Sequence, residues 1–69
     1  MLGEREAVVL EVEELAIHGL PYVDVTLGFD DRTTDRARLG PEAVPDDLRS
    51  GERVLVTRAA NVVISLRRP

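Results

Sequence analysis

The stretch Ala7-Val8-Val9-Leu10-Glu11-Val12-Glu13 decides the fold. Val8, Leu10 and Val12 alternate with polar or unassigned positions, and Glu11 and Glu13 fall on the opposite face. A period of two marks a strand with one dry and one wet side. The same alternation predicts a second strand over Tyr22 to Phe29. Val23, Val25, Leu27 and Phe29 are expected inward and Tyr22, Asp24 and Thr26 outward, and the β-branched content agrees. Between the two, His18-Gly19-Leu20-Pro21 reads as a turn, and Asp30-Asp31 makes the next one.

Working onward, Thr33 to Leu39 reads as a third strand with Ala37 and Leu39 inside and Thr34, Arg36 and Arg38 outside. Gly40 to Gly51 is not a strand. Pro41 suits the first position of a helical turn, and Pro45 forbids a long helix because it lacks a donor and pushes Val44 out of the helical region. Two short turns are expected, with Ala43, Val44 and Leu48 covering one end of the core. Glu52 to Arg58 is the fourth strand, with Val54 and Val56 inside. Ala59-Ala60-Asn61 connects it to a fifth, Val62 to Arg67, with Val62, Ile64 and Leu66 inside.

Five strands with a capping segment between the third and fourth predict an all-β domain, a small five-stranded OB-like Greek-key barrel, with an SH3-like barrel as the alternative. In this register Val9, Leu55 and Val63 face outward, and they are the candidate patch for a partner subunit.

Residues 1–69 suffice for one small domain. A core this small rarely stands alone without a staple or a partner. The chain has no cysteine and one histidine, which excludes disulfides, thiolate-held zinc and a histidine metal site. A homo-oligomer is therefore expected as a live alternative to a monomer. No apolar run approaches the ~20 residues that span a bilayer, and the N-terminal residues lack the pattern of a signal peptide, so the default location is the cytoplasm. Net charge is -4. It is uneven: residues 1–31 hold eight acids and one arginine, and residues 32–69 hold five acids and eight arginines. Such asymmetry marks either a binding face or merely solvated strand faces.

The catalytic inventory is thin. Ser65 lies mid-strand and Ser50 in a turn, with no histidine near either in sequence. The acid pairs Glu13-Glu14, Asp30-Asp31 and Asp46-Asp47 suit solvated turns better than general acid–base work, and the isolated glycines build no phosphate loop. An enzyme is not expected, nor a cofactor. Nucleic-acid binding is the alternative, with Arg32, Arg36, Arg38 and Arg58 as a phosphate-tracking stripe. Its weakness is the scarcity of aromatic platforms, since Tyr22 and Phe29 are the only aromatics.

Three stretches carry a family resemblance: Tyr22-Val23-Asp24-Val25-Thr26-Leu27-Gly28; Ala37-Arg38-Leu39 followed by Leu48-Arg49-Ser50-Gly51-Glu52-Arg53-Val54; and Arg58-Ala59-Ala60-Asn61-Val62. From Val8 to Leu66 the chain resembles the TOBE group of small OB-type domains, which includes the molybdate-binding molbindins and the C-terminal barrels of transporter ATPases. The resemblance implies a non-enzymatic module that binds a small oxyanion or a protein partner, with Arg58, Ala59, Ala60 and Asn61 as the ligand candidates. Molbindins open with a Ser-Ala-Arg-Asn stretch that has no counterpart between Met1 and Glu6. Gly51-Glu52-Arg53-Val54-Leu55-Val56 is also similar to a strand of the hydrogenase-maturation chaperones of the HypC type, which implies an accessory subunit of a larger enzyme. The cysteine that follows the initiator there is Leu2 here, so that chemistry is not implied.

Overall fold

The computed structural model describes residues 2–69, with the backbone alone at Leu2. Five strands follow one another: β1 (Leu2–Ile17), β2 (Leu20–Gly28), β3 (Thr34–Leu39), β4 (Arg53–Ala59) and β5 (Val62–Arg67). A single 3-10 turn at Pro41–Ala43 lies between β3 and β4. Pro41 opens it, as expected of a residue whose missing N–H has no partner to lose there. Every pairing is antiparallel, and the sheet runs β3-β2-β1-β4-β5. The protein is thus all-β with one five-stranded sheet. No ladder joins β3 to β5, so the expected closure into a barrel is not seen.

β1 is the spine. Its first half pairs with β4 from Leu2 to Val8, and two further bonds, Val9 N–H to Glu52 O and Gly51 N–H to Val9 O, carry that contact to Val9. The second half pairs with β2 as far as the hairpin tip, where Ile17 faces Leu20. His18 and Gly19 form the two-residue loop, both with positive φ (52° and 77°). Such mirror-image turns match the right-handed strand twist, which is why the chain needs Gly at one of the two positions. The predicted four-residue turn is therefore too long: Leu20 and Pro21 belong to β2. Pro21 is tolerated because β3 starts its pairing only at Val23, so β2 is an edge where the proline lies.

Two bulges correct the expected faces. Val9 pairs with Leu27 and Glu11 with Thr26, so Leu10 is an extra residue in β1. Arg58 pairs with Val63 and Thr57 with Ser65, so Ile64 is an extra residue in β5. A bulge resets the alternation. Ala7 and Val9 are the buried residues at the start of β1, while Val8 and Leu10 are exposed. In β5, Val63 and Leu66 are buried, and Val62 and Ile64 are exposed. Leu10 is not wasted: its side chain lies across Gly28, where an added Cβ would come within 3.1 Å of Leu10 Cδ1.

The core is Ala7, Val9, Val25, Leu27, Phe29, Leu39, Val54, Val56, Val63 and Leu66. Val12, Val23, Ala43, Val44 and Leu48 pack against it at one end, as the capping role of the 40–51 segment predicted. The outward patch of Val9, Leu55 and Val63 does not exist. Val9 is 0% and Val63 7% exposed inside the chain's own core. Leu55 is half-buried on the other face, between Glu6 of β1 and Arg67 of β5 in the ladder.

Beyond the span of β3 and β4, the distal part of β1 and the start of β2 form a two-stranded ribbon. On its outer face stand the opposed pairs Leu15–Tyr22 and Ile17–Leu20. The whole molecule exposes 4847 Å², against about 4,300 Å² for a compact chain of this mass.

Candidate functional site

The open end of the sheet, at the Phe29 end of β2, gathers charge on an apolar floor. Gly3, Arg5 and Ala7 of β1 pair with Arg58, Val56 and Val54 of β4, so Arg5 and Arg58 share the inward face with the core valines. Both guanidinium groups lie over the Phe29 ring, Arg5 Cζ at 4.5 Å and Arg58 Cζ at 4.8 Å from its centroid. Stacking of this kind lets a cation cover a ring without burying its charge.

Aspartates hold the two arginines. Arg5 Nη2 donates to Asp30 Oδ1 at 3.0 Å and lies 3.1 Å from Asp31 Oδ2. Asp31 also accepts from the Thr33 hydroxyl and from the Thr33 backbone N–H at 3.0 Å, which closes the β2–β3 turn. Those three donors pull the Asp31 carboxyl down to about pKa 2, the Thr33 hydroxyl contributing most. Arg58 Nη2 donates to Asp35 Oδ2 at 2.8 Å, a contact from β4 to β3 across the open side of the sheet.

Arg58 differs from the arginines that grip a carboxylate side-on. Arg38 grips Asp24 with both Nε (2.8 Å) and Nη2 (3.0 Å), and Arg67 grips Glu4 in the same side-on manner at 3.0 and 3.1 Å. Arg58 uses Nη2 alone. Its Nε is the one buried side-chain nitrogen or oxygen without a partner among the described residues. An unmet buried donor costs about 1–3 kcal/mol.

Beside Arg58 is an open depression of about 400 Å³ lined by Gly3, Glu4, Arg5, Val56, Arg58, Ala60 and Asn61. Three of the four ligand candidates read from the sequence, Arg58, Ala60 and Asn61, are thus brought together. Ala59 is the last residue of β4 and does not line it. Ala60 takes a positive φ of 55° in the turn to β5. Sequence reasoning missed Arg5 and the stacking role of Phe29. Alternation carried back from Ala7 places Gly3 and Arg5 on the Val9 face, which local pattern alone assigns outward, so no sequence signal marked Arg5 as inward.

The nucleic-acid candidates are not brought together. Arg36 and Arg38 stand on the outer face of β3, opposite Thr26 and Asp24. Arg32 is in the β2–β3 turn at φ 68°, and Arg58 is on the inner face. Arg38 and Arg58 are already paired to carboxylates. Among the described residues, no group of three or more His, Cys, Asp or Glu could hold a metal ion, and no helix is long and apolar enough to cross a membrane.

Comparison with protein-family models, with curated proteins and with solved structures gives no match to this chain.

Proposed function

We propose that this chain is a non-enzymatic OB-like binding module, TOBE-like in type, that takes a small oxyanion or carboxylate at the Arg58 depression. The sheet order supports the OB-like reading. Strands in the order 4-1-2-3 are a Greek key, which is how β4, β1, β2 and β3 lie, and OB-folds are five-stranded, partly open Greek-key barrels. The 3-10 turn between β3 and β4 sits where that reading expects a helical segment.

The observation that carries the ligand is the half-used side of Arg58. An anion that took Nε and Nη2 together would make two charge-assisted bonds where Asp35 makes one. Asp35 is the obstacle as well as the stand-in. With Asp30, Asp31 and Asp35 set against Arg5 and Arg58, the end is not electropositive, so an incoming anion must exchange with Asp35 rather than add to it. Calorimetry against molybdate, tungstate and sulfate tests this on three proteins. Asp35→Asn is expected to bind tighter than the wild type, and Arg58→Gln to lose binding. If Asp35→Asn shows no heat with any of the three anions, the reading fails.

Nucleic-acid binding gains no observation in its favour, because half of its arginines are neutralised and Glu11 shares the outer face with Arg36, the two opposite Thr26 on either side.

A further inference from the structure

We propose that the outer face and open edge of the β1–β2 ribbon dock an extended, basic-apolar segment of a partner protein. The proposal rests on the binding-module reading but uses the far end of β2 from Arg58. Four apolar side chains stand there in two directly opposed pairs, Leu15 with Tyr22 and Ile17 with Leu20, and Leu20 is 58% exposed. Neither edge of the ribbon has a backbone partner among the described residues, although Val12 and Glu14 lie beside the 44–48 segment on the inner face. β3 pairing reaches only to Val23. On the β4 side, backbone contact with β1 ends at Val9, which leaves Leu10–Ile17 an unpaired edge.

Charge says what fits. Glu11 and Glu13 stand on the same outer face as Leu15 and Ile17, and Glu14 follows them. Among the described residues none of the three makes an ion pair, although seven of the other acids do, and the nearby Asp24 is already held by Arg38. Charged edge strands normally discourage pairing with like chains, and an acidic edge accepts a basic one. A strand added antiparallel to Leu10–Ile17 sets its residues opposite Ile17, Leu15, Glu13 and Glu11 in turn. The partner face therefore reads apolar, apolar, basic, basic at every second residue.

The test uses a fluorescein-labelled nonapeptide with Val and Ile at its second and fourth positions and Arg at its sixth and eighth, beside a control with Glu for Arg. Anisotropy should show the basic peptide binding about tenfold tighter or more, with affinity falling as salt rises. Amide shifts in NMR spectra should concentrate on residues 10–17 and on Leu20 and Tyr22. Leu20→Ser and Glu13→Gln should each weaken binding with circular dichroism unchanged, since both side chains are exposed. Equal affinity for the two peptides, no binding at millimolar peptide, or shifts at β5 instead would overturn the proposal. So would a wild-type dimer in sedimentation that Leu20→Ser disperses, which would make a second copy the occupant, or Leu20-dependent binding to neutral phosphatidylcholine vesicles. Oxyanion calorimetry on Asp35→Asn reads the other end of β2, so the two ideas fail separately.

Discussion

The two ends of β2 are built on opposite plans. At the Phe29 end β1 meets β4 on one side and β2 on the other at Val8 and Val9. The apolar side chains of the inner face are buried there, and Arg5 and Arg58 are held by aspartates. At the Leu20 end β1 has only β2 beside it, and Leu20 stands in solvent with Leu15, Ile17 and Tyr22 half-buried. Glu11, Glu13 and Glu14 make no ion pair among the described residues. The same strand pair passes from core to ribbon within its length. What changes is the number of flanking strands, not the residue types, since valines, leucines and acids occur at both ends. Side chains become core when three strands enclose them.

The sharpest way to break this contrast is a matched truncation. Leu27→Ala, at a fully buried position, should cost about 2–5 kcal/mol. Leu20→Ala on the ribbon should stay within about 0.5 kcal/mol. Urea unfolding that gave the two equal costs would end the distinction.

Next comes the charged end itself. Arg58→Met loses the Asp35 pair and the contact with Phe29 but also removes the unmet Nε donor, and should cost a net of about 1 kcal/mol. Arg53→Met removes only an exposed pair with Glu6 and should cost about 0–0.5 kcal/mol. Similar midpoints for both variants would mean that the inward arginine is no better placed than a surface one.

A smaller effect is expected from acid. Asp31 is held near pKa 2, Asp24 is lowered by Arg38, and Glu52 is lowered chiefly by Arg68. Their folded values lie below their unfolded ones, so the unfolded chain binds more protons as pH falls. The stability they contribute is whole above the ordinary carboxylate range and drains away from about pH 4 to about pH 2. Thermal midpoints should be flat from neutral pH to about pH 5 and then fall, and Asp31→Asn should shallow that fall. An unchanged acid limb in Asp31→Asn would remove the turn-closing role given to this carboxylate.

The smallest change lies at the hairpin tip. His18 occupies a left-handed position that Asn adopts more readily, and Asn-Gly is the preferred pair for this turn. His18→Asn should raise stability by about 0.5 kcal/mol, read in the same urea experiment. A loss would mean that the imidazole makes a contact the turn depends on.

Most of the strands were legible from local pattern. The faces of β2, β3 and β4 follow simple alternation, and Val25, Leu27, Leu39, Val54 and Val56 are inside as expected. β1 and β5 misled because Val8-Val9-Leu10 and Val62-Val63-Ile64 are apolar on both parities. A run of that kind supports either face, and only the partner strand selects one. Arg58, Ala60 and Asn61 were ligand candidates by resemblance, and the structure brings them to the rim of one depression because they are close in the chain. Arg5 was missed because it joins them through β1–β4 pairing, from more than fifty residues away.

By itself the sequence determined that the chain is extended in five segments, where the turns fall and that Pro41 and Pro45 keep the long connection from becoming a helix. These are local matters of dihedral preference and of apolar spacing along a few residues. Tertiary structure alone decided the bulges at Leu10 and Ile64, the burial of Val9 and Val63, the open side between β3 and β5, and the meeting of Arg5, Arg58 and Phe29. Each of those depends on which strand lies alongside, and ladder hydrogen bonds between distant segments leave no trace in the spacing of neighbours.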